Sequence, residues 1–153
     1  MITIVDYGCG NIRAFLNAFT RLNIPVKVAT QAADLQDATK IILPGVGAFD
    51  FVIQSFNQSG MRELVEEKVL HQNVPVLGIC AGMQILADSS EEGTEKGLSW
   101  IPGKVRLFDV SKIPYVTKTP HMGWNEIEPD DPQLFCEIEN HSRYYFVHSY
   151  YFE

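Results

Sequence analysis

The sequence has no run of about 18 apolar residues, the length a membrane-crossing helix needs. Nor does it open with a basic segment and an apolar signal core. Strand-like ITIVD starts at once, which reads as a cytoplasmic protein with no membrane partner. Positive charge is short: 12 Lys and Arg face 19 Asp and Glu, for a net charge of −7 and a pI near 5.0. That argues against an electrostatic nucleic-acid partner and leaves small molecules and proteins. Cysteine is scarce. Cys9, Cys80 and Cys136 are odd in number and widely spaced, so they form neither a disulfide framework nor a zinc pattern. No His, Cys or carboxylate pair has ligand spacing in a convincing context, so no metal or cofactor is expected. Repeats, low-complexity segments and linkers are also lacking. What remains is an ordinary globular composition, 46% hydrophobic and 20% charged over 153 residues, which suits one domain with a sizeable core.

The first half alternates strand and helix signals. Ile2 to Asp6 is an apolar run closed by the turn DYGCGN. Ile12, Phe15, Leu16, Phe19 and Leu22 then recur at helical spacing. Val26 to Ala29 reads as a second strand, QAADLQDA as a brief helix, and Ile41 to Leu43 as a third strand stopped by PGVG. Phe49, Val52, Ile53 and Phe56 mark a helix face, as do Met61, Leu64, Val65 and Val69. Val76 to Ile79 is a fourth strand, and a helix begins over Gly82 to Ala87. Short strands apolar on both faces and separated by helices predict an α/β fold: an open, doubly wound, flavodoxin-like parallel sheet with helices on both faces. Ligands of such sheets bind beyond the carboxyl ends of the strands. The loops YGCGN, PGVGAF and ICAGMQ lie there. From Gly97 onward the chain turns β-rich, with the runs KVRLF, WNEIE and RYYFVHSYYF.

Gly78-Ile79-Cys80-Ala81-Gly82 has the form G-x-C-x-G between a strand and a helix, the cysteine version of a nucleophile elbow. A nucleophile on such a turn needs small residues two places before and after it, so that strand and helix can close. The turn aims its side chain outward, and the first N–H groups of the helix favour thiolate and can hold an oxyanion. The alternative is a small buried hydrophobe at a tight βα turn. Pro44-Gly45-Val46-Gly47, after the neighbouring strand, is either a second source of oxyanion donors or a simple strand-to-helix turn.

PVLGICAGMQIL resembles the nucleophile segment of class I, triad-type glutamine amidotransferases. With DYGCGN, LPGVGAF, PHMGWN and YFVHSY, the whole chain is similar to the glutaminase subunits of imidazole glycerol phosphate synthases, with the motifs in the family's order. The resemblance implies hydrolysis of glutamine to glutamate and ammonia, the ammonia passing to a (β/α)8-barrel cyclase subunit in histidine biosynthesis, as a heterodimer. It implies Cys80 as the nucleophile that forms a γ-glutamyl thioester. It implies Val46, Gly47 and Ala81 around the oxyanion, and Gly45, Gln84, Ser149 and Tyr150 around the substrate. Asn11 and Trp124 match positions that face the cyclase.

The family's base and orienting acid lie in a later His-Pro-Glu segment, which this sequence lacks. His71 reads as a surface residue at a helix end, His121 belongs to PHMGWN, His141 to the polar stretch NHSR, and His148 to a strand in which it shares a face with Phe146 and Tyr150. None matches the base. Residues 1–153 are therefore expected to be one amidotransferase domain incomplete at its C-terminal end, with little glutaminase activity alone. A paralogue serving surface-polysaccharide amino-sugar synthesis and a non-catalytic scaffold of the same fold are the alternatives. A dinucleotide site is disfavoured, because Arg13 stands where the third glycine after Gly8 and Gly10 should be. Elbow cysteines of the chaperone- and peptidase-like superfamily usually precede a histidine, and here Ala81 follows. Cys9 and Cys136 read as structural, Cys136 in a partly buried strand or turn.

Overall fold

Four apolar runs form the sheet that places the candidate site: β1 (Ile2–Val5), β2 (Val26–Ala29), β3 (Lys40–Gly45) and β4 (Val76–Cys80). The structure is a computed structural model that describes residues 1–114, 116–131, 133–139 and 141–153, so Asn140 of the NHSR stretch lies outside the described residues. The chain forms two compact units, Met1–Arg106 with Phe152–Glu153, and Leu107–Tyr151.

In the first unit the strands pair in the order β2-β1-β3-β4, all parallel. Each return therefore crosses over through helical structure. The helices are α1 (Ile12–Arg21), α2 (Phe49–Gln58), α3 (Arg62–Glu66), which runs on through a π-helical turn at Glu67–His71, and α4 (Ala81–Gln84). QAADLQDA supplies a 3₁₀ turn at Ala32–Leu35. Because β2 lies on one side of β1, and β3 and β4 on the other, right-handed crossovers put α1 on one face of the sheet and α2 and α3 on the opposite face. This is the doubly wound arrangement the sequence predicts.

The α2–α3 face carries the core. Val5, Ile41 and Leu43 pack there with Phe49, Val52, Ile53, Phe56, Met61 and Val65, all buried. Each such large side chain contributes about 1.5–3 kcal/mol relative to exposure. Ile4, Ile42 and Leu77 alternate to the other face. Its helix α1 buries no residue fully, and Leu22, expected on its apolar stripe, is 66% exposed. After α4 the chain forms β5 (Ser89–Ser90) and β6 (Lys104–Leu107), which are parallel. Glu153 and Lys104 exchange two backbone hydrogen bonds of 2.8 and 2.9 Å. No helix among the described residues is long and apolar enough to cross a membrane.

In the second unit β7 (His121–Glu126) pairs antiparallel with β8 (Arg143–His148). The aromatic run read as one strand from Tyr145 to Tyr150 is interrupted: β8 ends at His148, Ser149 is a bend, and β9 covers Tyr150–Phe152. The chain leaves the β7 ladder there, and the Ser149 carbonyl accepts instead from the Phe108 N–H at 2.9 Å. Cys136, expected to be partly buried, is exposed in a turn at 133–137.

Candidate active site

Cys80 ends β4 and caps α4 with φ +56° and ψ −124°. A side-chain-bearing residue held there costs on the order of 1–3 kcal/mol, which the surrounding structure must offset. The flanking glycines show how. A Cβ on Gly82 would lie 2.0 Å from the Leu43 carbonyl oxygen, and one on Gly78 would lie 2.6 Å from Met83 Cα. Strand and helix meet backbone to backbone, and any side chain at either place would pry them apart. The thiol is exposed, so the reading of Cys80 as a buried hydrophobe does not fit.

The adjacent strand brings the second loop to the same place. Gly45 is the ladder partner of Cys80, and a Cβ on it would lie 2.1 Å from the Gly82 nitrogen. Val46 follows directly and is 60% exposed, and Gly47 takes φ +122°. Gly45, Val46, Gly47, Cys80 and Ala81 thus converge at the carboxyl ends of β3 and β4. Gln84, at the end of α4, is half-buried one turn on.

The loop after β1 supports this corner. Tyr7 is buried against Phe56, with ring centroids 5.3 Å apart, and its hydroxyl donates to the Pro44 carbonyl. Burial, with a smaller contribution from Cys9, pushes the phenol far above its ordinary range, so it stays a donor. Cys9 is buried, as expected of a structural thiol. Asn11 caps α1 by accepting from the Ala14 N–H at 3.2 Å. With Gly8, Cys9, Gly10 and Val46 it lines a cleft of about 380 Å³. Sequence reading missed Tyr7, although its place between an apolar strand and a glycine turn was a signal.

The second unit holds Trp124, Ser149 and Tyr150. Met122 and Trp124 of β7 stand opposite Val147 and Tyr145 of β8. The four share one face and are 54–60% exposed, with Trp124 edge-on to Tyr145 at 5.7 Å. Ser149 and Tyr150 are half-buried. The Tyr150 carbonyl can only accept, so His148 Nδ1 donates to it (2.8 Å), leaving Nε2 of a neutral ring to accept from His121 Nδ1 (3.2 Å). His121 Nε2 then accepts from Asn125 (2.9 Å). Both nitrogens of His148 are occupied, as a sheet histidine held by its neighbours would have them. Its ring also lies 5.8 Å from that of Phe146. His141 pairs with Glu126 at 3.2 Å, and His71 is exposed at the end of the π-helical turn.

Comparison with known proteins shows the family. The family model for class-I glutamine amidotransferases matches residues 3–153. The imidazole glycerol phosphate synthase subunit HisH of Bdellovibrio bacteriovorus is 54% identical over 155 residues, covering 100% of this chain and 76% of that protein. The subunit of the same name from Leptospira interrogans is 46% identical over 154 residues, with the same coverage. A solved glutamine amidotransferase superposes with a TM-score of 0.69 at 17% identity, covering 99% of this chain and 73% of its own, which speaks to the fold alone.

Proposed function

The chain belongs to the class-I glutamine amidotransferase family, and on that premise we propose that it is the glutaminase subunit of an imidazole glycerol phosphate synthase in histidine biosynthesis. Glutamine is the substrate. The Cys80 sulfur attacks its side-chain carbonyl carbon, ammonia leaves, and the γ-glutamyl thioester is hydrolysed to glutamate. The amides of Val46 and Ala81, with Gly47 shaping their loop, hold the oxyanion of each tetrahedral step. Gly45 and Gln84 line the glutamine pocket, and Ser149 and Tyr150 serve its amino-acid end. The observation that carries this reading is Cys80 at φ +56°, exposed between two glycines that cannot bear a side chain and opposite Gly45.

The ammonia goes to a (β/α)8-barrel cyclase subunit. Met122, Trp124, Tyr145 and Val147 offer it a contiguous apolar face, and Asn11, which lines one cleft with Val46, is assigned to the same partner. Both relatives quoted bear the name of the histidine-pathway enzyme, which favours this reading over a polysaccharide paralogue. We place the work in the cytoplasm, where the free thiols of Cys9, Cys80 and Cys136 stay reduced. None of the four histidines is assigned as base. General-base help is typically worth about 10²–10⁴-fold, so turnover by these 153 residues alone should be slow while the thiol still reacts.

The test is alkylation by a glutamine-shaped diazo ketone, read by intact mass and peptide mapping. Modification of Cys80 that glutamine suppresses, and that Cys80→Ala abolishes, is expected. Modification spread over Cys9 and Cys136, or indifferent to glutamine, would sink the reading.

A further inference from the structure

The segment between α4 and β6 is fastened at three places. Its two ends are stitched to each other directly behind the elbow helix. The Leu98 N–H donates to the Ile85 carbonyl at 2.8 Å, Trp100 to Leu86 at 2.9 Å, and Gly97 to Asp88 at 3.0 Å. Its middle reaches across to the first turn of α2. There the Asp50 carboxylate accepts from the amides of Thr94 (3.0 Å) and Glu95 (2.9 Å) and from the Thr94 hydroxyl (3.2 Å). Glu92 accepts from the Phe49 N–H at 2.9 Å, and Gln54 donates to Glu95 at 2.8 Å. A Cβ on Gly93 would lie 2.0 Å from the Asp50 oxygen, so this close seat exists only because residue 93 is glycine.

An acid in the first turn of a helix is common for electrostatic reasons and by itself says nothing. Asp50 differs in where its oxygens go: their recorded partners all lie in a segment more than 40 residues away. Those bonds, the Thr94 and Glu95 amides first, hold its carboxyl below the ordinary range. One segment therefore ties the helix that follows Cys80 to the helix that follows Val46 and Gly47. The two loops that must act on one carbonyl are held from behind.

We propose that Asp50 is a positioning residue for the glutaminase reaction: by clamping residues 92–95 onto α2, it sets the Gly45–Ala48 loop against Cys80. It touches neither substrate nor sulfur. The inference rests on the glutaminase reading above. Displacement of a donor by about 1 Å can cost about 10²-fold in a carbonyl reaction. In diazo ketone labelling the thiol proton passes to the diazo carbon, and N₂ leaves as the sulfur bonds that carbon. The loop donors align the step by holding the adjacent ketone oxygen. Iodoacetamide loses iodide to the thiolate, with no carbonyl that the loop must hold.

The experiment compares two reagents on Cys80 of the 153-residue chain, the diazo ketone and iodoacetamide. Asp50→Ala should slow diazo ketone labelling by about tenfold or more while leaving iodoacetamide within about twofold. Gly93→Ala, which drives a methyl into the Asp50 carboxylate, should do the same. Asp50→Asn should keep most of the rate, since its amide oxygen can accept both N–H groups and its NH₂ can donate to the Thr94 hydroxyl. An unchanged ratio in Asp50→Ala, a parallel loss with both reagents, or an Asn variant as slow as the Ala variant would each overturn the positioning role. A wild-type chain whose diazo ketone labelling ignores glutamine would instead overturn the glutaminase reading, and this inference with it.

Discussion

Gly45 stands opposite Cys80 in the parallel ladder of β3 and β4, with no room for a methyl group between it and the first amides of α4. Gly45→Ala should therefore be costly even though alanine is the smallest replacement. The clash is with backbone, so strand and helix must separate, and the loss should be about 1–3 kcal/mol or more. Thermal unfolding measures it. A midpoint equal to wild type would show that the close approach does not exist.

The left-handed backbone of Cys80 predicts the opposite sign for another variant. Cys80→Gly removes strain on the order of 1–3 kcal/mol, against a glycine entropy cost of about 0.5–1 kcal/mol. A gain of about 1 kcal/mol in stability is expected, together with complete loss of diazo ketone labelling. A destabilised glycine variant would mean that residue 80 is not strained.

Acid should loosen the clamp between α2 and the segment after α4. Hydrogen bonds hold Asp50 below its ordinary range, the Thr94 and Glu95 amides foremost, and Asp88 likewise, through Ser99 and Gly103. A carboxyl depressed in the folded state contributes stability above its unfolded pKa of about 3.9 and loses it as pH falls through the folded value. The thermal-midpoint gap between wild type and Asp50→Ala should be full at neutral pH and shrink below about pH 4. A gap that persists unchanged at pH 2 would count against the carboxylate as its source.

His148→Ala should separate a sheet histidine from a base. Both of its ring nitrogens are engaged, with Tyr150 and His121. Truncation strands the Tyr150 carbonyl and the His121 ring, at about 1–3 kcal/mol. The iodoacetamide rate of Cys80 should not change with it. Robust glutamine hydrolysis by the wild-type chain that disappears in this variant would make His148 the base after all.

Trp124→Ala tests the partner face. Its ring is 60% exposed and edge-on to Tyr145, so removal should leave the unfolding midpoint within about 0.5 kcal/mol of wild type. Affinity for a cyclase subunit, measured by calorimetry, should fall about tenfold or more, as for a central aromatic anchor. Binding equal to wild type would move the interface elsewhere.

Much of the architecture was legible in the residues alone. Short apolar runs ended by DYGCGN, PGVG and GICAG announce parallel strands with turns at their carboxyl ends, because burial on both faces leaves no polar alternation and only glycine-rich turns close so tightly. G-x-C-x-G announced the elbow for the same steric reason. Other features had no local signature. Nothing in the spacing says that Gly45 lies beside Cys80, since register is set by how whole strands slide against a shared core. Tyr7 reaches Pro44, and Asp50 reaches Thr94, across 37 and 44 residues of chain. Such bonds exist only once the sheet has closed. The run RYYFVHSYYF carries aromatic residues on both sides of Ser149, so it conceals the bend there, where the chain leaves one ladder for another. Composition and pattern thus determined the parallel strands of the first half and which cysteine sits on a tight strand-to-helix turn. Tertiary structure decided what stands next to that thiol, because hydrogen bonds and backbone contacts between distant segments depend on position in space and not on neighbours in the chain.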